Sequence, residues 1–166
     1  TDLLCLGGPG FSGYLKNLES LYGPWIRPRS YRLRVKEISR GPLTYLDVMI
    51  RSNSMAHLPG SVGYRIQGAG GKSIVVSGDT DYCQAIVDLG NEADLLVLEC
   101  SFPDGRKVEG HLTPSLAGRI AAEANCRKLL LTHLYPPCDQ EDILSQCRQA
   151  FDGEVVIAED LLIIRV

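Results

Sequence analysis

Histidine is scarce in this chain of 166 residues, which has only His57, His111 and His133. Any chemistry that needs imidazole must therefore use these three. Six cysteines occur, at 5, 83, 100, 126, 138 and 147, but no two are spaced C-x-x-C, which excludes the zinc-ribbon and redox-pair signatures. No apolar run approaches the roughly 18 residues of a membrane span, and no signal peptide opens the chain. Low-complexity tracts, internal repeats and blocks of one charge are missing too, as they would not be in a disordered tail or a repeat array. An initiating methionine is also missing. The chain opens at Thr1-Asp2-Leu3-Leu4-Cys5-Leu6, inside an expected strand, as a truncated or cleaved product would.

What is present describes a globular protein. A chain of this length is close to one ordinary domain and buries roughly two thirds of its unfolded surface. Apolar residues at 45% are enough for a single core, so three disulfides are not needed and reduced thiols in a cytoplasmic protein are expected. Cys126, Cys138 and Cys147 fall on or beside expected helices and read as small buried apolar residues. A net charge of -3 argues against a broad footprint for nucleic acid and favours a small or uncharged partner. The densest basic run is Arg27, Arg29, Arg32, Arg34 and Lys36; its alternation from Tyr31 to Ile38 fits a strand with one solvated face.

Periodicity divides the chain in two. Leu3 to Leu6 reads as a strand, Gly7 to Gly10 as a turn, and Phe11 to Tyr22 as a helix stopped by Gly23-Pro24. Tyr31–Ile38, Leu43–Arg51, Gly63–Gln67 and Lys72–Val76 then read as an antiparallel meander. From Tyr82 helices alternate with strands: helix Tyr82–Leu89, strand Leu95–Cys100, helix Pro114–Ala124, strand Lys128–Thr132 and helix Gln140–Phe151. Thr113 is the expected N-cap before Pro114, and Glu154–Ile157 with Leu161–Val166 is expected to close the chain as a hairpin. The fold class is therefore α/β (α+β) with a mixed sheet.

Gly68-Ala69-Gly70-Gly71-Lys72-Ser73 ends like a phosphate-binding loop. The leading glycine of that motif would have to stand where Ile66 is, and Ile74 to Val76 continue as strand instead of opening a helix, so the glycines form a hairpin turn.

Two apolar strands run into candidate ligands. Ile74-Val75-Val76 leads to Ser77-Gly78-Asp79-Thr80, and Leu129-Leu130-Leu131 leads to Thr132-His133, each at the carboxyl end where open α/β sheets place their sites. Carboxylate and imidazole suit zinc or a similar divalent metal. His111 precedes a helix N-terminus, where it can serve as a proton shuttle or be an ordinary loop residue. Glu99, at the end of its strand, either orients a histidine or is solvated, and Thr80 stands beside Asp79 in the same orienting position.

Four segments together resemble the metallo-β-lactamase superfamily hydrolases of the ribonuclease Z-like branch: His57 to Ile66, Ser77-Gly78-Asp79-Thr80, Gly110-His111-Leu112-Thr113 and Leu131-Thr132-His133. They span most of the chain, in the family's order. The resemblance implies an αββα sandwich, represented here in part, so that residues 1–166 form one incomplete domain of that fold. It implies that His57 is a metal ligand, that Asp79 bridges two metals, that His133 binds the second, and that His111 is the proton donor. Zinc is the expected metal, with manganese or iron as alternatives. The family's His-x-His-x-Asp-His segment is not in this chain, so weak metal binding, little activity of the chain alone, and an exposed edge favouring aggregation or a homodimer are expected. The implied reaction is hydrolysis of a phosphodiester or ester by a metal-activated water. The alternative is a metal-free binding module that keeps the fold. Because only the short turn Gly68 to Gly71 stands where tRNA-processing members often carry an arm, a small phosphodiester or ester is expected rather than structured RNA, with no membrane partner.

Overall fold

The computed structural model describes residues 2–38 and 41–166. The chain begins with β1 (Asp2–Gly7), α1 (Phe11–Tyr22), a 3-10 turn at Gly23–Ile26 and β2 (Arg32–Glu37). β1 and β2 pair in parallel as a separate two-stranded sheet, with Leu3 opposite Leu33 and Cys5 opposite Val35. This corrects the expected meander, whose first member was Tyr31–Ile38. An alternating basic strand has one apolar face, but its sequence does not say which neighbour that face meets.

The main sheet has seven strands in chain order: β3 (Pro42–Tyr45), β4 (Val48–Ser54), β5 (Val62–Gly68), β6 (Ser73–Val76), β7 (Leu95–Glu99), β8 (Lys128–Thr132) and β9 (Glu154–Ile157). From β3 to β6 the pairing is antiparallel. The expected strand Leu43–Arg51 is split, because Leu46 takes a positive φ of 51° and Tyr45 pairs with Val48 across a two-residue turn. Gly68 to Gly71 forms the expected hairpin turn, with the Gly71 amide donating to the Gly68 carbonyl.

From β6 to β9 every pairing is parallel. Parallel neighbours need crossovers, and α2 (Gln84–Gly90), α3 (Pro114–Glu123) and α4 (Ile143–Arg148) supply them. These helices are shorter than their periodicity predicts. The last is preceded by a 3-10 turn at Pro136–Gln140, where two prolines in succession withhold amide donors. Thr113 and Pro114 do occupy the N-cap and first position of α3. The final hairpin is a further correction: β9 pairs with β8, and 161–166 contains no strand.

One face of the sheet carries the core. Val75, Leu96, Leu98, Leu129 and Leu131 point to the helices and meet Ile86, Ala117, Ile120 and Cys147, all fully buried. Each large aliphatic side chain of this set contributes roughly 1.5–3 kcal/mol on burial. The opposite face has an apolar row, Tyr64, Val76, Val97, Leu130 and Val156, aligned by register across five strands. That row is only partly covered among the described residues, with Val76 38% exposed. Cys126, Cys138 and Cys147 are buried as expected, Cys100 is buried too, and no disulfide forms among the six cysteines. No helix among the described residues is long and apolar enough to cross a membrane.

Strand direction positions the site. β4 runs parallel to β6, two strands away, so the carboxyl ends of β4, β6, β7 and β8 lie along one edge. The loops leaving that edge hold His57, Asp79, Ser101 with His111, and His133 respectively.

Candidate metal centre

Asp79 follows the end of β6 and Gly78, whose φ of +63° turns the chain out of the strand. Its carboxylate lies between two imidazoles. Oδ2 is 3.9 Å from His57 Nε2, and Oδ1 is 3.6 Å from His133 Nε2. Both gaps are too long for a hydrogen bond. They are close to the about 3.4 Å that separates two donors, each about 2.1 Å from one tetrahedral metal. The donor chemistry, the separations and the partial exposure of all three groups therefore fit a divalent cation at each gap.

Each histidine is oriented from behind. His57 Nδ1 is 3.1 Å from the Gly110 carbonyl, which can only accept, so Nδ1 is the donor and Nε2 is the nitrogen turned towards Asp79. Gly110 has a φ of +83°, and a Cβ there would lie 2.9 Å from His57 Nδ1. Glycine is therefore required by both backbone and space. His133 sits at φ 58°, in the left-handed region that few non-glycine residues occupy; the strand end stores this strain and turns the ring towards Asp79.

His111 is anchored by a buried acid. Its Nδ1 is 2.9 Å from Glu99 Oε1 and 3.2 Å from Ser101 Oγ. Glu99 is 2% exposed and also receives the Thr80 amide at 2.9 Å and the Ser101 hydroxyl at 2.7 Å. A carboxylate withdrawn from water this far needs such donors. The arrangement leaves His111 Nε2 for the site. One donor atom each from Asp79, His111 and His133 falls within 4.8 Å of the others. The four residues singled out from sequence thus converge, and the ring centroids of His57 and His111 are 5.0 Å apart. Thr80 holds the His57 loop through its Oγ1, which accepts from the Ala56 amide at 3.0 Å.

Asp81 was not foreseen. Its amide donates to the Ala56 carbonyl at 2.8 Å, while its Oδ2 receives Lys107 Nζ at 2.6 Å and the Gly110 amide at 3.0 Å. One residue thus ties the loops of His57, Asp79 and His111. Burial pushes its carboxyl up, but the bonds from Lys107, Tyr82 and Gly110 outweigh this and hold it below the usual aspartate range. Its position two residues after Asp79 was the available signal. Phe102 and Tyr135 were also missed; they adjoin His111 and His133, with Tyr135 5.1 Å from His133 between ring centroids.

Comparison with known proteins identifies the family. The model of the family described as the beta-lactamase superfamily domain matches residues 29–134, more than half of the chain. An uncharacterized protein of Mycobacterium leprae is 42% identical over 111 residues, covering 65% of this chain and 39% of that protein. A ribonuclease Z of Myxococcus xanthus is 43% identical over 96 residues, covering 54% and 31%. The crystal structure of the metallo-beta-lactamase fold protein YhfI from Bacillus subtilis superposes with a TM-score of 0.78 at 26% identity, over 95% of this chain and 63% of that one. The chain belongs to the metallo-β-lactamase superfamily and is ribonuclease Z-like. It spans about two fifths of the mycobacterial relative and about a third of the ribonuclease Z.

Proposed function

We propose that the whole protein is a metal-dependent phosphodiesterase, with His57, Asp79 and His133 holding two divalent cations and His111 acting as the proton donor. One observation carries this reading: the Asp79 carboxylate turns one oxygen to His57 and the other to His133, each across a gap suited to a cation. Bound cations would activate a water near neutral pH and polarise the phosphoryl oxygen. Zinc suits the imidazole and carboxylate donors, and manganese or iron are alternatives. Three protein donors shared between two positions leave each short of a full set, so water, substrate or further chain must complete them.

The chain's own groups define the remaining steps. Water gives up a proton to solvent as its oxygen bonds to phosphorus, the bond to the leaving oxygen breaks, and a protonated His111 Nε2 gives that oxygen its proton and is then reprotonated from solvent. Glu99 at His111 Nδ1 holds the ring and fixes the direction of Nε2. An alternative use of His111 as a ligand is favoured by its closeness to Asp79 and His133. The buried Glu99 fits either role, because carboxylates also orient metal-bound histidines.

The substrate in this proposal is a small phosphodiester. The four-residue link between β5 and β6 and the net charge of -3 support it, whereas the name of the ribonuclease Z relatives points to RNA. Free thiols at all six cysteines suit a reducing, cytoplasmic setting. The test is metal analysis and hydrolysis of bis-p-nitrophenyl phosphate by the whole protein. Bound divalent metal and turnover abolished by a chelator and restored by metal are expected. A folded protein with neither metal nor turnover would point to a binding module instead.

A further inference from the structure

We infer that the substrate of this site carries a planar aromatic group, and that Tyr135, backed by Phe102, is the wall on which that group lies. The inference deepens the hydrolase reading by naming what is attached to the phosphoryl group.

Four rings form a closed circuit around one side of the centre. Centroid separations are 6.2 Å from Phe102 to His111, 6.0 Å from His111 to His133, 5.1 Å from His133 to Tyr135 and 5.1 Å from Tyr135 to Phe102. All lie in the range in which aromatic pairs attract. Two of the four rings belong to the proposed chemistry; the other two have no part in it.

Tyr135 is not a core residue. Leu134 packs against the main core, while His133 before it and Tyr135 after it remain exposed, Tyr135 at 41%. The alternation puts the tyrosine on the side of the histidine, and burial does not explain its presence there. The wall is also held in place beforehand. The Tyr135 amide donates to the Ser101 carbonyl at 3.2 Å, which fixes Tyr135 beside the residue preceding Phe102. The Cys138 amide and thiol then bond back to the Tyr135 and Ser101 carbonyls, and Pro136 and Pro137 stiffen the link between them. A rigid, half-exposed aromatic face beside a hydrolytic centre binds a planar group at little cost in conformational freedom.

Charge points the same way. Lys107, which precedes His111 on the same loop, is engaged by Asp81 and by the Val108 carbonyl. It therefore offers little to a second or third phosphate, and stacking is the interaction this rim provides. A nucleobase or an aryl ester would use it; a dialkyl diester would not.

Calorimetry on the metal-loaded whole protein tests this with two ligands that differ only in the base, adenosine 5′-monophosphate and ribose 5-phosphate. The nucleotide should bind about tenfold more tightly, in line with one stacked base. Tyr135→Ala should remove that preference while leaving ribose 5-phosphate affinity and the melting temperature near their parent values, and Tyr135→Trp should restore it. Equal affinities in the parent, binding of neither ligand, or a preference that survives Tyr135→Ala would overturn the inference. Diester turnover is measured separately: its absence with the nucleotide preference intact strikes the hydrolase reading, and turnover without the preference strikes only this one.

Discussion

Glu99 Oε1 lies 2.9 Å from His111 Nδ1, and that same oxygen receives the Thr80 amide at 2.9 Å. The residue next to Asp79 and the proposed proton donor therefore share one buried anchor, set at the end of β7. Glu99→Gln keeps the shape but removes the charge and offers an amide where two donors already point. Activity should fall about 10- to 100-fold, the usual effect of losing a partner behind a site histidine. The fall should lie in kcat, and the acidic and basic limbs of the pH–rate profile should move. An unchanged profile would leave Glu99 a packing residue.

His111 separates the two roles open to it by metal content. If it donates a proton, His111→Ala should retain the parent's metal stoichiometry and lose about 100- to 10,000-fold in turnover, the span attributed to general acid catalysis. Substrates with good leaving groups, such as p-nitrophenyl esters, should lose least, because their departing oxygen needs no proton. Loss of metal in His111→Ala would make it a ligand.

Asp81 receives Lys107 and Gly110 on one oxygen and joins the His57 loop through its amide. Asp81→Asn should cost about 1.5–3 kcal/mol of stability, the range for hydrogen bonds to charged groups, and should weaken metal binding through displacement of Gly110 against His57. The parent should show the matching pH dependence. With its folded pKa held below the unfolded value of about 3.9, Asp81 stabilises the protein fully above that value, and its contribution fades as pH falls through the lower, folded one. Denaturant midpoints measured from pH 6 down to pH 2 should drop less in Asp81→Asn than in the parent.

How much of this could be read from the chain depends on the range of the interaction. Asp79 and His133 were legible because each ends a continuous apolar strand, and a buried parallel strand puts its last residue at the ligand edge. His57 needed the segment that follows it, since a loop histidine has no periodicity of its own. Asp81 was hidden because its value lies in contacts with Ala56, Lys107 and Gly110, distant in sequence and adjacent only after folding. The break at Leu46 was invisible because the turn uses a left-handed leucine instead of glycine. Leu161 to Val166 is apolar and β-branched like a strand, yet composition supplies no partner, and Leu161 and Ile163 remain exposed.

Thiol reactivity should divide the cysteines. Burial pushes Cys147 up to about 11 and Cys126 up to about 12, and raises Cys100 and Cys138 as well, so all four stay neutral thiols at pH 8. Only Cys5 and Cys83 are partly exposed. Titration of the native protein with a chromogenic disulfide should give a fast phase of no more than these two, with the remainder reacting on unfolding. Four or more fast thiols would contradict the burial of the helix-side core.

The choice between a small diester and RNA rests on what can grip many phosphates. Each phosphate neutralised by a cation makes binding steeply dependent on salt, and a folded RNA needs several such contacts. Here β5 and β6 are joined by a short turn, so no arm extends between them. Lys72 at its base is paired with Asp94 at 2.9 Å, and Lys107 beside the centre is paired with Asp81. Turnover of a small aryl or nucleoside phosphodiester by the whole protein should therefore be unaffected by excess tRNA, with a KM that changes little between 50 and roughly 200 mM salt, the interval over which a polyphosphate ligand weakens by orders of magnitude. Tight, salt-sensitive binding of precursor tRNA with cleavage of its 3′ trailer would assign the site to RNA.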